Sequence, residues 1–390
     1  MKIGVNCFLL QPSIGGLKQY FQTLFRELLE TDSVNEYVFF YFDHNIPELE
    51  KLGTDRWKEG AVLLSNQEAI WQHLDMMDLY FCPFGAIWPI PVPVPSVVTI
   101  VDLQEKYYPD FFTLQDHWNR DYYYYGSSHQ ADAVITISEF SKQSIVRFHG
   151  VDPGKIHVVY LSAQNNFVEA LRHPRSLTSP LPDNFIFYPA NHWKHKNHEC
   201  LLDGLKILKE KYGLILSGVF TGFSQANGVS VMEKAKEMGL DVRWYEYLDV
   251  EELAFIYRNA GALCYPSLFE GFGIPLVEAM LSGCPIVCSN SSSIPEVVGD
   301  AALLFEPGDP EACACSLKKI FEDPGLKNNL VSRGYVQAKR FSPQKMANDH
   351  RSVFEIARHK YSRLSYYRNR FIFNPLHDRR MLKRKPQSGV

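Results

Sequence analysis

Two glutamates eight positions apart, Glu270 and Glu278, bracket a glycine-rich turn in Pro266-Ser-Leu-Phe-Glu-Gly-Phe-Gly-Ile-Pro-Leu-Val-Glu278. An ionised glutamate only accepts hydrogen bonds, which suits it to gripping the paired hydroxyls of a sugar or a ribose. Gly271 and Gly273 leave backbone amides uncovered beside the positive end of a following helix. That combination seats a phosphate or another electron-rich ligand. Each feature alone has a plainer reading. Gly-x-Gly before a helix is usually a tight turn, and a glutamate in a first helical turn complements the dipole. The whole string is far more specific than its parts.

The loop needs a strand before it and a helix after it. Gly261-Ala-Leu-Cys-Tyr265 is apolar and short, a buried strand, and Pro275 followed by the run Leu276 to Leu281 predicts a helix with proline in its first turn. A second strand–loop–helix unit carries cations. The strand at 184–190 runs into Asn191-His-Trp-Lys-His-Lys-Asn-His198, ahead of a helix with Leu201, Leu202, Leu205 and Leu208 on its inner face. Lys196 in such a loop is the right chemistry for a diphosphate. The histidines lack an acidic or cysteine partner, so no metal site is expected. A third unit is the first strand, ending near Leu10, followed by Gly15-Gly16 and a helix to about Glu30 whose core face is Leu17, Phe21, Leu24, Phe25 and Leu28. Backbone bared by the glycine pair can approach a phosphate. Asp102 follows the strand at 96–101, either as a turn cap or as a substrate contact.

At 390 residues the chain has room for two ordinary domains, and its 46% hydrophobic content supports two cores. A net charge of −4 excludes an obligate nucleic-acid binder. The eight cysteines show no framework spacing and read as reduced core residues of a cytoplasmic protein. Met1 to Leu10 is too short for a signal peptide, and no stretch is long enough to span a membrane. Strands alternating with helices give an N-terminal domain over 1–165 and a proline-rich linker over 166–183. A C-terminal domain at 184–340 and a closing helix at 341–358 follow. The aromatic stretches Tyr107 to Phe112 and Tyr122 to Tyr125 are assigned to core packing before an acceptor groove. The tail, 359–390, is basic and aromatic. From Arg358 onward ten Lys and Arg face one acid, interleaved with Tyr361, Tyr366, Tyr367, Phe371 and Phe373. Such a tail fits peripheral attachment to the inner face of the cytoplasmic membrane, or a solvated end.

The glutamate string resembles the E-x7-E signature of the retaining nucleotide-sugar glycosyltransferases of the GT-B fold, glycosyltransferase family 4 (glycosyl transferases group 1). The likeness continues through Glu278-Ala-Met-Leu-Ser-Gly-Cys-Pro-Ile-Val and Ser293-Ile-Pro-Glu-Val-Val-Gly-Asp-Ala-Ala302, and covers residues 1 to about 358. The resemblance implies an α/β protein of two Rossmann-like, doubly wound domains facing a central cleft. It implies transfer of a hexose from a nucleotide-diphosphate sugar to a hydroxyl of a saccharide or lipid-linked saccharide acceptor. Retention of configuration, a role in surface polysaccharide or glycoconjugate synthesis, and no cofactor or metal go with it. By the same resemblance Gly15, Gly16, Lys196, Gly271, Phe272 and Gly273 contact the donor. Glu270 holds its sugar hydroxyls and Glu278 its ribose. Glu270, Lys196 and Asp102 form the catalytic set. The two glutamates are then orienting groups, not the acid and nucleophile of a glycosidase.

The chain departs from the family in three places. Val101 stands where many relatives have histidine, Asn191 where an arginine is usual, with Lys194 or His195 as substitutes, and Glu246 where glycine is frequent. A nucleotide-sugar 2-epimerase and a non-catalytic scaffold subunit are the alternative readings. The oligomeric state, the base and the sugar are not encoded in any motif found.

Overall fold

A computed structural model describes residues 1–12, 15–222, 226–246 and 248–386. Ser13 and Ile14, just before the first glycine pair, and Tyr247, the last residue of the strand that the sequence predicts over Val242 to Tyr247, lie outside the described residues. The chain divides into two compact units, Met1–Leu161 with Pro343–Val390, and Ser162–Ser342.

The first unit is a seven-stranded parallel sheet. Its strands are β1 (Lys2–Asn6), β2 (Glu36–Tyr41), β3 (Val62–Leu63), β4 (Leu79–Cys82), β5 (Ser96–Thr99), β6 (Ala133–Thr136) and β7 (Ile156–Val158), in the order β3-β2-β1-β4-β5-β6-β7. Helices cover both faces of a parallel sheet, so its central strands are buried throughout and read as apolar runs rather than alternations. β1 stops at Asn6, short of the expected Leu10. The Leu10 amide donates to the Cys7 carbonyl and closes a turn, while the Asn6 amide group donates to the Tyr80 hydroxyl at 2.8 Å. β3 has two residues and left no pattern to find.

The helix Gly16–Thr31 buries Phe21, Leu24, Phe25 and Leu28 against this sheet. The helix Pro343–Lys360 belongs to the same unit. Its His350 lies 2.7 Å from the Tyr20 hydroxyl, and its Phe354 packs 5.1 Å from Phe81. Burial pushes His350 down to about 4. The neutral ring therefore donates from Nδ1 to the Met346 carbonyl and accepts from Tyr20 at Nε2.

The second unit repeats the winding with β8 (Phe185–Pro189), β9 (Ser217–Thr221), β10 (Val242–Tyr245), β11 (Ala262–Tyr265), β12 (Ile286–Ser289) and β13 (Ala302–Phe305), ordered β10-β9-β8-β11-β12-β13. In both sheets the strand order reverses once, between β1 and β4 and between β8 and β11. Ligands of such sheets bind at the strand C-terminal ends at this point. The stretch expected as a linker begins with a helix, Asn165–Ala170, whose Phe167 meets Tyr257 edge-on at 5.6 Å. That helix is packed, while the proline-bearing stretch after it, 172–183, has no buried residue.

Local capping follows the sequence closely. Ser138 accepts from the Ser141 amide, and Asp249 and Glu252 form a reciprocal capping box. All eight cysteines are free, and all but Cys315 are buried. The tail is folded. Residues 363–382 form a helix with one wide turn at Asn369–Phe373.

Candidate active site

The switch point of the second sheet brings together two loops that are remote in sequence. β8 feeds the loop carrying Lys196, and its neighbour β11 feeds the loop carrying Glu270. Lys196 Nζ donates to Glu270 Oε1 at 2.7 Å, and both side chains are largely shielded from solvent. The Ser267 hydroxyl also bonds the carboxylate. Burial pushes the Glu270 carboxyl up, but the Lys196 cation, with His195 and these hydrogen bonds, outweighs it and holds the group below the usual carboxylate range. Glu270 is therefore ionised at neutral pH. The Lys196 ammonium also stands 5.8 Å from the Tyr265 ring centre.

Both loops are held by their backbones. The Leu268 amide donates to the His195 carbonyl at 2.7 Å, and the Tyr188 hydroxyl donates to the Lys196 carbonyl at 2.6 Å. Asn197 joins them most directly. It has φ +54° and its side-chain amide donates to the carbonyls of Pro266 and Pro307 at 3.1 and 2.6 Å. The other non-glycine residue with positive φ among the described residues is Ser292, whose hydroxyl accepts from the Glu270 amide at 2.8 Å. Both sparsely populated conformations thus brace the Glu270 loop, where preorganisation has a use. We expect Asn197→Ala to lose two partly buried hydrogen bonds and to force alanine into the left-handed region. The cost is about 2–4 kcal/mol, read as a lower urea midpoint at unchanged m-value.

The helix after the loop is Ile274–Ser282, entered through Gly273 at φ +102°. A β-carbon there would meet a Leu276 side-chain carbon at 2.9 Å, so this position admits only glycine without distortion. Glu278 faces inward and is 7% exposed. Its Oε2 accepts from the Tyr257 hydroxyl at 2.8 Å. Burial pushes Glu278 up to about 7, partly offset by the Tyr257 hydrogen bond. The two glutamates thus differ in state, one ionised and cation-paired, the other poised at neutral pH.

The Phe272 side chain is buried edge-on against Phe341 at 5.4 Å, and its carbonyl accepts from Ser293 at 3.2 Å. It anchors the loop. His195 does not replace the missing arginine as a cation. Burial, with Lys196 beside it, pushes it down to about 4. Lys194 is exposed. Tyr257, Tyr188, Ser267 and Ser292 escaped the sequence reading, since single polar residues inside apolar elements carry no spacing signal.

In the first unit Gly15 precedes the helix Gly16–Thr31 at φ +51°, and among the described residues none beyond the immediate chain neighbours comes within 4 Å of a β-carbon built at Gly15 or Gly16. Asp102 accepts from the Gln104 amide at 3.1 Å, a turn cap, with Arg120 3.9 Å away. Arg120 donates to the buried Glu105 at 3.0 Å and stacks over Phe112. The tyrosine stretch at 122–125 packs against the tail helix. Among the described residues no group of three or more His, Cys, Asp or Glu side chains is placed to hold a metal ion.

Two parallel Rossmann-like sheets, each with one reversal of strand order, are the architecture of the GT-B fold. Comparison with known proteins agrees. The domain described as "Glycosyl transferases group 1" matches residues 170–337, and "Glycosyltransferase Family 4" matches residues 75–162. The chain belongs to the GT-B glycosyltransferases. It is 32% identical to O-antigen chain mannosyltransferase B of Escherichia coli over 54% of this chain and 57% of that protein. It is 29% identical to O-antigen chain mannosyltransferase RfbU of Salmonella typhimurium over 63% of this chain and 67% of that one. The matched region is thus little more than half the length of the first relative. Among solved structures, Anabaena HepE in complex with UDP and glucose superposes with a TM-score of 0.70 at 16% identity, covering 91% of this chain and 99% of that one. Sucrose-phosphate synthase of Thermosynechococcus elongatus gives 0.72 at 17% identity, covering 91% and 98%. At these identities the likeness is one of fold.

Proposed function

We propose that this protein transfers a hexose, with mannose favoured, from a nucleotide-diphosphate sugar to a saccharide or lipid-linked saccharide hydroxyl in surface polysaccharide synthesis, with retention. The observation that carries the reading is the buried Lys196–Glu270 pair at the β8–β11 switch point, with Glu278 on the helix that follows. Both named relatives being mannosyltransferases favours mannose.

In this reading the bond between the anomeric carbon and the diphosphate breaks, and its electron pair leaves with the diphosphate. The acceptor oxygen bonds to the same face of the anomeric carbon, and its proton passes to the departing phosphate oxygen. Lys196 and the loop amides stabilise the leaving charge, which grows only as the bond breaks. Glu270 orients the sugar hydroxyls and Glu278 the ribose. Asp102 acts on the acceptor side. The reaction draws on no bound metal ion.

A thermal-shift screen with GDP-, UDP-, ADP- and dTDP-sugars, each in EDTA, tests this. A ligand at a hundred times its Kd stabilises by about 2.7 kcal/mol, a shift of several degrees. We expect one nucleotide class to do so, and a radiolabelled hexose from that donor to appear on an acceptor with its anomeric configuration kept. Silence from every donor would favour a scaffold, and a 2-epimerised free sugar would favour the epimerase reading.

A further inference from the structure

The tail helix packs on the first unit by one face only. Asn369, His377 and Met381 are buried. His377 stacks on Tyr122 and Tyr125 at 5.3 and 5.6 Å, and its Nε2 lies 2.9 Å from the Tyr122 carbonyl. Trp118 donates to the Met381 carbonyl at 2.9 Å. The only acid of the tail, Asp378, accepts from the Tyr122 hydroxyl at 2.8 Å. These contacts fix the roll of the helix.

The opposite face is apolar and open. Leu364 is 78% exposed, Phe371 66% and Leu376 61%, with Tyr367 beside them. The wide turn at Asn369–Phe373 inserts one extra residue, which keeps 364, 367, 371 and 376 on one side while 369, 377 and 381 stay on the other. Arg363, Arg368, Arg370, Arg379 and Arg380 are all exposed around this stripe. No helix among the described residues is long and apolar enough to cross a membrane. A folded helix normally turns its apolar stripe inward. Here the stripe faces away from the domain, ringed by arginines and with its one acid already engaged.

We propose that this face docks the protein onto an anionic lipid surface, the helix lying along the headgroups. The apolar stripe enters the acyl boundary and the arginines meet lipid phosphates, the chemistry of an interfacial helix with a polybasic margin. The charge pattern selects lipid over a second copy of the chain, because two such faces would bring arginine against arginine. The inference is independent of sugar transfer and can fail without it.

The test is flotation of the full chain with phosphatidylcholine vesicles containing about a third phosphatidylglycerol, and with pure phosphatidylcholine vesicles. Binding is expected to the anionic vesicles only, and to weaken with salt. Leu364→Ser with Phe371→Ser should reduce it more than tenfold, and Arg370→Gln with Arg379→Gln by about the same factor. These side chains are exposed, so both variants should keep the wild-type melting temperature. Absence of binding to anionic vesicles would overturn the proposal, as would equal binding by the serine variant. Sedimentation covers the competing occupant. A wild-type dimer that the serine variant abolishes, without lipid binding, would assign the face to a second copy.

Discussion

Replacing Lys196 by methionine is expected to abolish transfer and to destabilise the fold together. The loss in kcat should be on the order of a thousandfold, because the leaving diphosphate loses a charge placed where negative charge develops. The stability loss follows from Glu270, which is buried and keeps its ionised form through Lys196. Removing one partner of such a pair leaves an uncompensated charge and costs about 3–5 kcal/mol. The Glu270 carboxyl would then titrate above its usual range. Its stability contribution reverses sign. In the parent the depressed carboxyl stabilises above its unfolded value and is lost as pH falls. In the variant the raised carboxyl destabilises increasingly as pH rises. A Lys196→Met, Glu270→Gln double variant should recover most of the stability and none of the activity. Urea denaturation between pH 5 and pH 8 beside single-turnover assays separates the two. Recovery of transfer in the double variant would remove Lys196 from the chemistry.

Replacing Glu278 by glutamine is expected to weaken donor binding and to stabilise the free protein. Burial raises the Glu278 carboxyl to about 7 from an ordinary value near 4.5. A folded-state pKa above the unfolded one means the charged form is penalised in the fold. The penalty is absent below about pH 4.5, grows as pH rises, and is complete above about 7, where it is on the order of 3 kcal/mol. Glutamine can still accept from Tyr257 and carries no such penalty, so Glu278→Gln should unfold at a higher urea concentration at pH 8 and at the same one near pH 4. In the parent this carboxylate, which the proposed function places on the ribose, is mostly protonated at pH 6 and mostly ionised at pH 8. Donor Kd should therefore fall about tenfold across that interval and become flat in the variant. Titration calorimetry at both pH values reads this. A parent Kd that does not change with pH would detach Glu278 from the nucleotide.

Stability gained by removing a carboxylate that function retains is the usual sign of a site working against its own fold. Here the conflict sits on the helix Ile274–Ser282, whose other side chains are mostly apolar and mostly buried. The same conflict is absent at Glu270, where Lys196 compensates for burial. One loop and its helix thus hold two carboxylates in two protonation regimes, which Coulomb pairing and desolvation set separately.

Much of this was written locally. The order strand, glycine loop, helix around Glu270 is legible because proline at a helix start, glycine at a positive φ and an apolar run each act over a few residues. The caps at Ser138 and Asp249 are legible for the same reason. Other features depended on residues far apart in the chain. That Lys196 meets Glu270, across 74 positions, follows from β8 lying beside β11, and strand order is a property of the whole sheet. Phe272 turned inward because Phe341 offered an edge to pack against, and Glu278 acquired its raised pKa from burial over Tyr257. The tail shows the division most plainly. Its composition alone allowed a solvated end. Stacking of His377 on Tyr122 and Tyr125 holds it as a helix on the first unit, with one face committed to protein and the other left open, because only tertiary contacts decide which side of a helix is covered.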